Sequence, residues 1–295
     1  MSNFLHIMFL KDNEVIALFA IIVYFFAVVA FYQAIKNDRM KSRGKRPEDD
    51  SGSDNLLSWP FLARKEFLVA IFVTAALLVW GIVTDAPLEE QADPSVTPNP
   101  SKAPWYFLGL QEMLVYFDPW IAGVTFPTLI IVGLMAIPYI DVNPKGNGYY
   151  TFSERWFAIT VFSFGFLFMW VILIAIGVFV RGPGWMWFWP WQEWNPHRII
   201  AETNYDLTQF FGIDSKSLLG SVIGGGVVVA YYLVGITAPY LYMKYKKIQV
   251  IEKLGIERYS MVAFLFLTMM GLPIKVFLRL VFHLKYVWVT PWFNI

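Results

Sequence analysis

The sequence predicts an all-α polytopic membrane protein with about six transmembrane helices and a short surface helix between the second and the third. Three observations predict it. Of 295 residues, 57% are hydrophobic and only 15% charged, against roughly 25% charged in an average soluble domain. Apolar runs of the length that crosses a bilayer, about 20 residues as a helix, recur along the chain, and mean hydropathy is +0.52. Thirteen Trp, fifteen Tyr and twenty-seven Phe provide aromatic anchors for two membrane–water interfaces.

The first span runs from Val15 to Ile35, with Lys11, Asp12 and Glu14 before it and a basic stretch after it. No small-residue cleavage pattern follows, and the positive flank lies on the wrong side for a signal peptide, so the helix is read as retained. Lys36 to Asp54 is rich in Lys, Arg, Asp, Ser and Gly and reads as an exposed, mobile linker. Further spans run from Phe67 to Val83, Trp120 to Ile140, Trp156 to Val180 and Leu218 to Met243. The sixth starts at Tyr259, stays apolar to Pro273, and turns amphipathic through Lys275, Arg279, His283 and Lys285. Those cations suit lipid phosphates or a partner's acids, or snorkelling anchors at the interface. Gly224-Gly225-Gly226 in the fifth span suggests a close helix–helix approach, with ordinary packing as the alternative.

Loop charge sets the orientation. Lysines and arginines crowd the connection between spans one and two and that between spans five and six, which marks both as cytoplasmic, or n-side. The loop from Asp85 to Pro119 has one lysine, Lys102, and no arginine against several acids, so it faces the opposite, p side. The basic end of span six, whose cations land on the p side, fits this scheme least well. A net charge of +1 gives no support for a nucleic-acid partner.

The absence of cysteine excludes disulfides, iron–sulfur ligation and thioether-linked haem within these residues. Only His6, His197 and His283 are available as imidazole ligands, too few for two bis-histidine haems, and none lies within a long apolar run. A p-side loop reading RGPGWMWFWPWQEWNPHR crowds Trp185, Trp187, Trp189, Trp191 and Trp194. It reads as an interfacial aromatic belt, or more sharply as a docking surface for an electron carrier.

The chemistry concentrates in the p-side loop after span two. Pro87, Pro94, Pro98 and Pro100 forbid regular structure at its start. Ser101 is a candidate N-cap and Pro104 suits a first helical turn, which predicts a short helix to about Phe117. Trp105, Gly109, Glu112 and Tyr116 then share one face at three- and four-residue spacings. This describes an amphipathic helix at the membrane surface with one carboxylate facing a partner or a cavity.

Trp59-Pro60, the span from Phe67, EEQADPSVTP ending at Pro98, Pro104-Trp105-Tyr106-Phe107 and the span from Trp120 stand in a familiar order. In that order and spacing, from about Trp59 to Val180, the chain resembles the C-terminal, subunit IV-like half of cytochrome b from bc-type quinol–cytochrome c oxidoreductases. The resemblance divides the chain into an accessory helix and basic linker (1–58), a quinol-site region (59–182), and the Trp-rich loop with two further helices (183–295). One departure stands out. The family's Pro-Glu-Trp-Tyr-Phe motif carries a glutamate, implied to accept a proton from quinol, and that position is Pro104 here, preceded by Ala103.

What the resemblance implies is a membrane subunit that helps form the p-side quinol-oxidation site and holds no redox group of its own. Glu112 is the expected substitute for the missing glutamate, with Tyr106 beside it, because a carboxylate or phenol near a quinol oxygen suits proton transfer. Pro104, Trp105, Tyr106, Phe107 and Gln111 are the expected quinone contacts. The expected partners are a haem-bearing cytochrome b N-terminal-type subunit carrying haem b, a Rieske-type iron–sulfur protein, a cytochrome c and membrane lipid, in a bacterial inner membrane. The rival readings are a haem-free quinone-binding anchor of another respiratory complex and a transporter. The latter is disfavoured by scarce intramembrane charge and the lack of a visible inverted repeat.

Overall fold

The computed structural model describes residues 5, 7–9, 11–45, 57–84, 91, 93–143, 150–197 and 203–295. It is an all-α polytopic membrane protein. The helices are α1 (Lys11–Ser42), α2 (Ser58–Val83), the short α3 (Leu108–Met113), α4 (Ile121–Ile140), α5 (Phe152–Val180), α6 (Leu218–Tyr245) and α7 (Gln249–Phe282). All but α3 are long and apolar enough to span a membrane. Most of their large apolar side chains point outward and α2 buries none, which in water would be untenable and in lipid is expected. The chain divides into two compact units: Met1–Pro98, Gly146–Thr160 and Pro190–Gln192 form one, and Asn99–Lys145, Val161–Trp189 and Glu193–Ile295 form the other.

In the first unit, α1 runs seven residues past the expected end of its apolar stretch. The polar residues after Ile35 stay helical because they have partners more than a hundred residues away. Asn37 is buried and donates through Nδ2 to the Tyr150 carbonyl at 2.9 Å. Asp38 accepts from the backbone N–H groups of Phe152 and Ser153 at 3.2 and 3.0 Å and from the Ser153 hydroxyl at 2.7 Å. A carboxylate from α1 therefore caps the first turn of α5, satisfying N–H groups that a helix start leaves unpaired. Lys41 adds an ion pair to Glu154. The part of the expected linker from Lys36 to Ser42 is thus an ordered helix, and the remainder beyond residue 45 lies outside the described residues.

In the second unit, α6 and α7 pack side by side through hydrogen bonds that lipid cannot replace. The Tyr231 hydroxyl donates to the Leu267 carbonyl at 2.8 Å, Tyr259 to the Ile236 carbonyl at 3.1 Å, and Tyr232 shares 3.1 Å with the Thr268 hydroxyl. Gly235 admits Leu267, since a Cβ there would lie 2.7 Å from a leucine methyl. α7 begins ten residues before the expected Tyr259, and the turns up to Leu254 join the span across Gly255, where φ is +70°.

The glycine triplet of α6 meets a different partner from the one its sequence suggests. A Cβ at Gly224 would fall 2.5 Å from the Val287 carbonyl oxygen, and one at Gly225 would fall 3.1 Å from the Trp288 ring, whereas Gly226 faces open space. The close approach is with the chain after α7, not with a helix. That tail is pinned by Trp288, whose indole N–H donates to Ser221 at 3.2 Å, and by pairing with residues 205–207.

The main buried cluster lies where α3, α4, α5 and α7 converge. Met113, Tyr116, Phe117, Ala122 and Leu173 form it, with Trp170, Leu272 and Val276 packed against it. α3 reaches α5 through glycines on both sides. A Cβ at Gly109 would lie 3.3 Å from the Trp170 ring, and one at Gly177 would lie 3.2 Å from Leu108 Cβ. Wide π turns in α5, Ser163–Trp170 and Ile176–Val180, bracket this contact.

Candidate quinol site

The expected face of the short helix forms in part: the helix is confined to Leu108–Met113, with no N-cap at Ser101, and Trp105 lies half-buried in the turn before it. Trp105–Phe107 make a tight turn and α3 follows, with Gly109, Glu112 and Tyr116 buried. The Glu112 side chain has no exposed surface, and its partner is Arg181, at the C-terminal end of α5. Arg181 Nε donates to Oε2 at 2.8 Å and Nη2 to Oε1 at 2.7 Å, a planar two-point pairing. The Trp185 indole N–H donates to Oε2 at 3.2 Å and the Tyr116 hydroxyl to Oε1 at 3.1 Å. Four donors thus converge on one carboxylate, with both its oxygens turned inward.

The turn after α5 is shaped to complete this clamp. Gly184 and Trp185 both take left-handed backbone conformations, φ +66° and +56°. Such a conformation is unusual for tryptophan, and it lets one residue serve both ions: the Trp185 carbonyl accepts from Arg181 Nη1 at 3.0 Å while its indole meets Glu112. The Trp187 ring lies 5.6 Å from the guanidinium. Gly184 N–H donates to Asn99 Oδ1 at 2.6 Å, tying the turn to the start of the loop that leads into α3. Burial alone would lower the Arg181 pKa; hydrogen bonding and the charge of Glu112 outweigh it and raise it above its ordinary value. Burial first, and then the Glu112 charge, push the Tyr116 phenol up to about 12.

Beside α3 lies an open cleft of about 440 Å³. Phe107, Leu110 and Leu114 give it an apolar wall, Gly123 of α4 contributes, and Ser101, Lys102, Ala103 and Gln111 add polar groups. Gln111 also fixes the loop, accepting from Ala103 N–H at 2.8 Å and donating to the Ser101 carbonyl at 2.9 Å. Lys102 donates to the Val178 carbonyl at 2.7 Å and sits 4.9 Å from the Trp194 ring centre. Burial pulls its ammonium down to about 8.

The site residues anticipated from sequence therefore separate. Phe107 and Gln111 line the cleft, while Pro104, Trp105 and Tyr106 are not among its lining residues. Tyr106 and Phe107 are about half exposed, with their rings tilted at 52° and 4.7 Å apart, whereas Glu112 is buried and takes its hydrogen bonds from Arg181, Trp185 and Tyr116. Of the tryptophan-rich loop, Trp185, Trp187 and Trp194 turn toward Arg181, Glu112 and Lys102, and Trp189 and Trp191 are exposed. Arg181 and Lys102 were not foreseen. The available signal was that an acid inside a short apolar helix needs a cation, and Arg181 is the first ionisable residue after the fourth span. His197 and His283 are both exposed, and His6 lies outside the described residues. Among the described residues, no group of three or more His, Cys, Asp or Glu is placed to hold a metal ion.

Residues 91–189, which include the short helix and the cleft beside it, match a family described as cytochrome b(C-terminal)/b6/petD. The match begins at Gln91, after α2, and ends at Trp189 within the tryptophan-rich loop, so it contains both the cleft and the Glu112–Arg181 clamp. Among curated proteins, the chain is 32% identical over 92 residues to the menaquinol:cytochrome c reductase cytochrome c subunit of Geobacillus thermodenitrificans, covering 30% of this chain and 37% of that protein. It is 36% identical over 80 residues to the protein of the same description from Bacillus subtilis (strain 168), covering 27% and 29%. The chain spans about a third of the length of these relatives. No solved structure matches.

Proposed function

We propose that this chain is a membrane subunit of a bc-type quinol–cytochrome c oxidoreductase and supplies one wall of its p-side quinol-oxidation site. The observation that carries the reading is the coincidence of the family match with the residues that build the cleft and its clamp. The reductase descriptions of the two relatives support the same assembly.

In this reading the quinol ring lies against Phe107, Leu110 and Leu114, with Gln111 holding the polar end of the cleft in shape. Pro104, Trp105 and Tyr106, on the outer side of the turn, meet the neighbouring subunit. Glu112 is a positioning residue: with Arg181 it fixes α3 against α5. Electrons leave to haem b on a cytochrome b N-terminal-type subunit and to a Rieske-type iron–sulfur protein that reduces a cytochrome c. Protons leave on the p side of a bacterial inner membrane. Catalysis belongs to the assembly, since these 295 residues contain no cysteine and only three histidines.

The test is to purify the complex through a tag on this chain, identify its subunits and record a reduced-minus-oxidised spectrum. A b-type haem band with a histidine-rich membrane subunit and naphthoquinol-dependent cytochrome c reduction is the expected result. Gly123 lines the cleft and a Cβ there would meet nothing within 4 Å, so Gly123→Phe adds bulk at the cleft wall without a backbone clash. It is expected to abolish turnover while leaving the subunits assembled. A chain that purifies without haem or redox partner overturns the reading.

A further inference from the structure

Oxidising a quinol removes protons from its hydroxyls, so a quinol cleft needs a group that accepts one. Glu112 is poorly placed for that, because both its oxygens already take donors from Arg181, Trp185 and Tyr116 and it does not line the cleft. Gln111 and Ser101 line the cleft but are not bases near neutral pH. One ionisable side chain remains among the lining residues, Lys102.

We propose that Lys102 is the proton-accepting residue of the quinol cleft, taking the place of the glutamate that the family motif would put at Pro104. The proposal rests on the quinol-site reading above. Three features of the geometry favour it. Lys102 is tethered through its bond to the Val178 carbonyl of α5. The groups that face it are that carbonyl, the Trp194 ring and the Ser101 and Gln111 side of the cleft, with no carboxylate among the cleft-lining residues to hold it as an ammonium. The tether uses one donor, so a neutral amine keeps its bond to Val178 and still offers a lone pair to a ligand hydroxyl. Burial, which pulls the group down to about 8, leaves on the order of a tenth of the amine unprotonated at pH 7.

The step is a simple transfer. A quinol O–H bond breaks, an N–H bond forms, and Lys102 becomes an ammonium stabilised by the Val178 carbonyl and the face of Trp194. The ammonium releases its proton to water at the open side of the cleft. The quinolate gives up two electrons, one at a time, to one-electron acceptors on partner subunits, and its remaining hydroxyl proton passes to the regenerated Lys102 amine or to water, leaving the quinone.

The experiment uses the intact complex and a short-chain naphthoquinol as probe, with rate followed against pH. In the parent, the rate is expected to rise with pH and level off near pH 8, as the amine becomes free. Lys102→Gln keeps a donor for Val178 but cannot accept a proton, so turnover is expected to fall at least about tenfold with the subunits still assembled and that limb of the pH profile flattened. A Lys102→Gln complex within twofold of the parent, with the same pH profile, overturns the proposal. So does a parent profile that is flat from pH 6.5 to 9, which needs no variant to fold. Gly123→Phe separates the two levels: if it abolishes turnover while Lys102→Gln does not, the cleft stands and Lys102 fails. If neither changes turnover, the quinol-site reading itself fails.

Discussion

Replacing Glu112 tests whether the buried ion pair holds the short helix in place. Glu112 is fully buried, Arg181 nearly so, and four hydrogen bonds converge on the carboxylate. Glu112→Leu leaves a guanidinium with no counter-charge in a site closed to water, and breaking a buried pair from one side costs about 3–5 kcal/mol. That is a large part of the roughly 5–15 kcal/mol by which a folded domain is stable. Arg181→Met should cost a similar amount by stranding the carboxylate. The double variant removes both charges together, and apolar replacement of a whole buried pair is often neutral or better. We therefore expect Glu112→Leu/Arg181→Met to recover most of the loss, with a coupling of at least about 2 kcal/mol. The assay is denaturant unfolding of the purified complex in detergent, followed by accessibility of the loop before α3 to protease, with naphthoquinol turnover measured on the same samples. A Glu112→Leu loss below about 1 kcal/mol, or a double variant equal to the sum of the singles, would refute the clamp. Turnover separates the two roles considered for Glu112: a stable but inactive double variant would make it the proton acceptor after all.

Four further outcomes follow from the same structure. Gly177→Leu should destabilise the α3–α5 contact by about 1–3 kcal/mol through overpacking, because even a Cβ there stands 3.2 Å from Leu108, and the loss should appear as faster proteolysis before α3. Gly224→Ala should free the chain after α7, since its Cβ would fall 2.5 Å from a backbone oxygen that has no flexible side chain to yield; a changed near-ultraviolet signal from Trp288 checks it. Asp38→Ala removes the cap on α5 and should cost about 1 kcal/mol by thermal unfolding, with Asp38→Asn retaining much of it. Tyr116 is held protonated to about 12, above its usual 10, so the stability it contributes is intact below pH 10 and is lost as pH rises toward 12; Tyr116→Phe should flatten that alkaline decline in melting temperature.

The six spans were legible because hydropathy over twenty residues is a local property, and lipid leaves little room for alternatives. Helix ends were less so. Hydropathy ends α1 at Ile35, but Asn37 and Asp38 stay helical because Tyr150, Phe152 and Ser153 pair with them, and no local window holds that information. The same applies to α7, where Gly255 joins an amphipathic turn to an apolar span. The face of α3 was legible from spacing: Gly109, Glu112 and Tyr116 are buried together as their three- and four-residue intervals require. What that face meets was not. Arg181 is sixty-nine residues from Glu112 and reaches it only because α5 returns past the short helix.

That separation bears on how the site sorts its charges. The loop before α4 carries several acids, Glu112 among them, and one base, Lys102, ten residues from Glu112, and the resemblance favours the acid for proton transfer because the motif it rests on carries one. The fold assigns them differently. α3 turns the carboxylate inward, where Arg181, itself fixed by the left-handed Trp185 turn, binds both its oxygens. The extended chain ahead of α3 leaves the amine on the cleft wall, tethered by a single bond. A group bound by four donors is suited to holding a helix, and one bound by a single acceptor is suited to exchanging a proton. On the proposed reading a proline at the motif position is tolerable, since the cleft keeps an ionisable group two residues earlier in the chain, held by the Val178 carbonyl.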